Sequence, residues 1–140
     1  MGSEMCIRDS AYDEVVQDIA DFLSQRLADV TEVGINLDRV IIDPGFGFGK
    51  TAEQNFELLA RLSELQDIGQ PVLVGLSRKS MISSVLDRSP EQRTAASVAL
   101  ALMAVERGAR IVRVHDVAAT FDALSMWQTT RQTLSQSQHA

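Results

Sequence analysis

The sequence predicts an α/β fold in which parallel strands alternate with helices, and three observations carry that prediction. Three short β-branched runs, Val40-Ile41-Ile42, Val72-Leu73-Val74 and Ile111-Val112, each end on a cluster of charged and small residues. A stretch with helical spacing of its apolar residues follows each cluster. The runs lie roughly 30 to 40 residues apart, the length of right-handed strand–helix–strand units.

Taken in order, Val15, Val16, Ile19, Phe22, Leu23 and Leu27 recur at spacings that place them on one face of an amphipathic helix, with Gly34 as its stop. The first strand starts near Arg39, and its continuous apolar run suits burial on both faces. Phe56, Leu58, Leu59, Leu62 and Leu65 mark a second helix, ended by Gly69 and Pro71 ahead of the second strand. A short helical turn from Met81 to Leu86 precedes a longer helix through Ala95, Ala96, Val98, Ala99, Leu102 and Val105, with Gly108 past its end. The third strand covers Arg110 to Val114, and a last helix runs from about Ala118 towards Leu134, with Phe121, Leu124, Met126 and Trp127 as its apolar side. Residues 1–10 show neither periodicity and are read as a non-native scar or disordered stretch, and residues 135–140 as a disordered tail.

Composition narrows the function class. The chain has 140 residues, of which 45% are hydrophobic and 23% charged, enough for one domain with its own core. Its net charge of −6 argues against a nucleic-acid partner, which would need clustered Lys and Arg. No apolar stretch reaches the roughly 20 residues of a membrane span, and the single cysteine, Cys6, has no internal partner. A cytoplasmic protein is the expectation.

The chemistry sits at the strand ends, where α/β proteins place binding and catalytic groups. Asp43-Pro44-Gly45-Phe46-Gly47-Phe48-Gly49-Lys50 lets the backbone bend and approach a ligand closely, with aromatic faces for stacking; a tight turn with core phenylalanines is the plainer alternative. Gly49-Lys50-Thr51 matches the end of a phosphate-cradling P-loop, but Pro44 stands where that motif needs a glycine. Ser77-Arg78-Lys79-Ser80 offers two cations and two hydroxyls ahead of a helical turn, an anion site by chemistry. Arg113 and His115 alternate at the third strand end and face the same side, a permanently charged fork beside a titratable donor. The plainer alternative pairs Arg113 with Asp43 or Asp116. A metal site within these residues is not expected, because the other histidine, His139, lies in the tail.

Together, these three motifs in this order resemble the C-terminal part of bacterial dihydropteroate synthase. The resemblance implies a partial (β/α)8 TIM barrel, strands 6–8 with helices 5–8, making residues 11–134 a partial pterin-binding barrel domain; an entire barrel takes about 250 residues. It also implies the condensation of (7,8-dihydropterin-6-yl)methyl diphosphate with 4-aminobenzoate to 7,8-dihydropteroate and diphosphate, as a step in folate biosynthesis. By resemblance, Asp43 hydrogen-bonds the pterin, Lys79 lies between pterin and aminobenzoate, and Ser80 receives the aminobenzoate carboxylate. Phe48 flanks the aminobenzoate ring, and Arg113 with His115 holds the leaving diphosphate. Lys79, Arg113 and His115 are the implied catalytic residues. Mg2+ and a homodimer are likewise implied, the magnesium ligand belonging to earlier strands that this sequence does not contain. The chain alone is therefore expected to be inactive. The alternatives are a non-catalytic phosphate- or pterin-binding α/β module and a P-loop-like NTPase.

Overall fold

The computed structural model describes residues 14–137. The scar read at residues 1–10 and the end of the tail, residues 138–140, lie outside the described residues.

Helix α1, Val15–Glu32, buries Val15, Val16, Ile19 and Leu23, the face its periodicity marks. The Glu14 carboxylate caps it by accepting the Val16 N–H at 3.2 Å. Helix α2, Ala52–Ala60, starts on a capping box: the Thr51 hydroxyl accepts the Gln54 N–H while the Gln54 side chain accepts the Thr51 N–H. The predicted second helix is thus two pieces. A 3-10 helix, Leu62–Ile68, continues its apolar face through Leu62 and Leu65 and ends at Gly69.

Strand β1, Val72–Val74, pairs in parallel with β2, Ala109–Val112, in the register Val72 to Ala109, Leu73 to Ile111 and Val74 to Val112. The predicted first strand is reduced to one parallel bridge, Ile42 to Val72. Burial on both faces does not hold there: Ile42 is buried, while Ile41 is 49% exposed. The two side chains point to opposite sides of an extended chain, and the helical layer covers only one of them. Arg113 lies just past β2, still joined to β1 by its N–H to the Val74 carbonyl at 2.9 Å.

Two 3-10 turns, Ser80–Ser84 and Pro90–Gln92, lead into α3, Thr94–Glu106. Small buried residues, Ser97, Ala101 and Ala104, let α3 pack closely. Helix α4, Val117–Ser137, departs from expectation in two respects. Its apolar residues form no single buried side: Phe121 and Met126, which five residues of helix set about 140° apart, are both exposed. It also carries Ser135, Gln136 and Ser137, read as tail, as helix, with the Ser135 and Ser137 hydroxyls donating to the carbonyls of Arg131 and Thr133.

The core is one cluster in which Ile19, Leu58, Leu62 and Leu65 from the helical layer meet Val72, Val74 and Leu76 from the β1 region. Burying each such side chain contributes about 1.5–3 kcal/mol. At the rim, Arg61 ties three elements together, donating to Glu14 at 2.9 Å, Glu57 at 2.8 Å and Glu64 at 2.7 Å. The hydrogen bond from Arg61 is the main reason the Glu14 carboxyl titrates below its ordinary 4.5. A carboxyl held low in the folded state stabilises above its ordinary value and loses that contribution as the pH falls through the depressed one. Arg61→Met is therefore expected to lower the Tm modestly at pH 7, the gap closing as the pH is taken below 4.5 and through that lower value. Thermal scans at the two pH values check this, and a gap that persists in acid would contradict it.

Candidate functional site at the strand ends

The loop after Ile42 is held from several sides. Asp43 Oδ1 accepts the Gly45 N–H at 2.8 Å. Lys50 Nζ turns back to donate to the Gly45 and Phe48 carbonyls at 2.7 and 3.0 Å. The buried Asn55 side chain accepts the Gly47 N–H at 2.9 Å and donates to the Thr51 carbonyl at 2.9 Å. Gly47 has φ +81°, and a Cβ there would come within 3.1 Å of Lys79 Cδ, so glycine serves both the turn and the close approach.

The two phenylalanines of this loop part company. Phe46 is 1% exposed and belongs to the core, whereas Phe48 is 47% exposed. The expectation of two available aromatic faces is corrected to one, the other ring being taken by the hydrophobic cluster. Lys79 Nζ sits 4.6 Å from the centroid of the Phe48 ring, a cation–π contact.

After β1 the chain reaches Gly75, where a Cβ would stand 2.7 Å from Arg113 Nη2; the arginine crosses the strand end through the space glycine leaves. Arg78 follows in the left-handed region at φ 59°. Its N–H donates to Ser97 Oγ at 2.9 Å and its carbonyl accepts from Arg93 at 2.8 Å, so α3 and the segment before it fix this turn. Its guanidinium pairs with Asp116 at 3.1 Å. Of the two cations in Ser77-Arg78-Lys79-Ser80, Lys79 alone lines the cleft with Arg113 and His115.

That cleft, about 160 Å³, is walled by Gly75, Ser77, Lys79, Arg113, Val114 and His115. Arg113 Nη2 lies 3.9 Å from Asp43 Oδ2, an ion pair longer than a hydrogen bond. Asp43, Phe48, Lys79, Arg113 and His115 thus form one connected group at one end of the parallel strands. Ser80, the first residue of its 3-10 turn, is exposed and does not line the cleft. Asp116 pairs with Arg78, so of the two acids weighed for Arg113 it is Asp43 that lies beside it.

Sequence reasoning misses Asn55 and Ser97, the two buried polar side chains that hold these loops. Both leave a signal: each is a polar residue in register with the apolar face of its helix, Asn55 with Leu58 and Leu59, Ser97 with Leu100 and Ala101. The P-loop-like reading fails on geometry, because Lys50 is spent on loop carbonyls and Thr51 on the helix cap. Among the described residues, no group of three or more His, Cys, Asp or Glu side chains could hold a metal ion.

The model of the family described as pterin binding enzyme matches residues 2–115. The dihydropteroate synthase of Haemophilus influenzae is 53% identical over 119 residues, covering 85% of this chain and 43% of that one. A crystal structure of dihydropteroate synthase from Stenotrophomonas maltophilia with imidazole bound in its active site superposes with a TM-score of 0.86 at 51% identity, covering 88% of this chain and 47% of the other. The Xanthomonas albilineans dihydropteroate synthase in complex with 7,8-dihydropteroate also gives 0.86, at 49% identity and with 88% and 47% covered. The chain therefore spans about half the length, or less, of the relatives it matches. On the matched span and the shared fold, the chain belongs to the pterin binding enzyme family.

Proposed function

We propose that this chain supplies the later strand ends of a dihydropteroate synthase site, which joins (7,8-dihydropterin-6-yl)methyl diphosphate to 4-aminobenzoate. The observation that carries the reading is that Lys79, Arg113 and His115 line one cleft, with Asp43 3.9 Å from Arg113 and Phe48 beside Lys79. Asp43, its Oδ1 steadied by the Gly45 amide, hydrogen-bonds the pterin. Lys79 lies between pterin and aminobenzoate, Phe48 flanks the aminobenzoate ring, and Ser80 takes its carboxylate from the exposed side.

Arg113 and His115 do the electrostatic work. As the methylene–oxygen bond breaks, negative charge grows on the departing diphosphate, and a guanidinium fork with an imidazole N–H stabilises it there. The aminobenzoate nitrogen attacks the methylene carbon, the C–N bond forms, and the amine releases a proton. No protein nucleophile is needed. Mg2+ is implied by the family, but the described residues offer no cluster that fits it, and no step here is routed through it. Among the described residues no helix is long and apolar enough to cross a membrane. The exposed apolar side chains Met103, Met126 and Leu134 between α3 and α4 offer a surface for the homodimer the resemblance implies.

Calorimetry with inorganic pyrophosphate and with the pterin diphosphate tests the reading. Arg113→Ala is expected to weaken pyrophosphate binding about tenfold or more, the scale of a lost charge-assisted hydrogen bond. Unchanged pyrophosphate affinity in Arg113→Ala would contradict the assignment. Binding of pyrophosphate without the pterin diphosphate would instead favour a phosphate-binding module.

A further inference from the structure

Ser77 belongs to the Ser77-Arg78-Lys79-Ser80 motif and has no part in the roles above. It is 7% exposed, and its hydroxyl meets His115 twice. Oγ accepts the His115 backbone N–H at 3.2 Å and lies 2.8 Å from His115 Nδ1. A serine hydroxyl has one hydrogen and two lone pairs. The backbone N–H occupies one lone pair, and among the described residues Nδ1 is the acceptor within reach of the hydrogen. If Nδ1 carried a proton instead, the buried O–H would be left without an acceptor, at the full cost of its desolvation. The hydrogen therefore goes to Nδ1, and the ring's own proton resides on Nε2, which has no intramolecular partner among the described residues.

We infer that Ser77 is a positioning residue that locks neutral His115 as its Nε2–H tautomer, so that the imidazole donates to an anion in the cleft without having to be protonated. The other tautomer would offer the anion a lone pair. Lys79 and Arg113 wall the same cleft and both end in N–H donors, so His115 is the member whose donor capacity needs securing. The tautomer assignment rests on geometry alone; that the anion is a diphosphate rests on the proposed function.

Long-range proton–nitrogen correlation spectra of the 140-residue chain labelled with 15N-histidine test this at a pH where the ring is neutral. A His139→Gln variant removes the second imidazole from the spectrum. One tautomer is expected, with Nδ1 pyridine-like and Nε2 pyrrole-like; in Ser77→Ala the two signals should move towards each other as tautomers mix, and Ser77→Thr should restore the separation. Inorganic pyrophosphate should bind Ser77→Ala roughly fivefold more weakly than the wild-type chain, the scale of one net hydrogen bond. A pyrrole-like Nδ1 in the wild-type chain, or spectra identical in wild type and Ser77→Ala, overturns the inference. Should the alanine variant fail to fold, mixed tautomers in Ser77→Thr would overturn it equally. The expected tautomer in a chain that binds no pyrophosphate upholds the role of Ser77 and counts against the proposed function.

Discussion

Purified as these 140 residues, the chain is expected to form dihydropteroate at least about a thousandfold more slowly than a full-length relative, since the loss of a single preorganised donor can cost that much and the chain covers less than half of such a relative. The chain matches 43% of the Haemophilus influenzae protein's length, and its described residues hold two paired strands and one further bridge, too few to close an eight-stranded barrel. The roles proposed above give the residues it does contain the leaving group and one edge of each substrate. Positioning a pterin against an aminobenzoate needs both sides of the pocket, and misplacement by an ångström costs orders of magnitude in rate. A turnover assay with both substrates checks this; a rate comparable to that of a full-length relative would refute the division of the site described above.

The second large effect separates two phenylalanines two positions apart. Phe46→Ala is expected to destabilise the fold by about 3–5 kcal/mol, the cost of emptying a fully buried aromatic site. Phe46 is 1% exposed and packed in the main cluster, and total stabilities of only about 5–15 kcal/mol leave little margin. Phe48→Ala should cost about 1 kcal/mol or less, because the ring is half exposed and meets the Lys79 ammonium in a cation–π contact. Urea unfolding of both variants measures the difference. Equal losses of stability would mean that the loop is not anchored through Phe46.

Most of this architecture is legible from the chain because local signals and packing agree. The α1 face from Val15 to Leu23, the β1 run and the Gly108 stop after α3 all read correctly, each being a periodicity or a turn residue whose environment matches its propensity. The failures occur where neighbours decide. Val40-Ile41-Ile42 looks like a central strand, yet it contributes one bridge, because pairing depends on strands beside it that local sequence does not specify. Alpha4 shows apolar residues without a common face, which a count of hydrophobic positions cannot reveal. In the site, Asp43, Lys79, Arg113 and His115 are legible as polar residues at strand ends. The turning of Arg78 away towards Asp116, and the hold of Asn55 and Ser97 on the loops, arise from contacts 4 to 38 residues apart along the chain and emerge only in three dimensions.

The central claim is that Arg113 and His115, with the Gly75-to-Lys79 wall opposite, form the diphosphate end of one site. Backbone amide chemical shifts of the 15N-labelled chain titrated with inorganic pyrophosphate test it most directly. Saturable shifts concentrated at Gly75, Ser77, Lys79, Arg113, Val114 and His115 are predicted. Shifts concentrated at Gly47 to Thr51, with the Arg113–His115 region unmoved, would contradict the account.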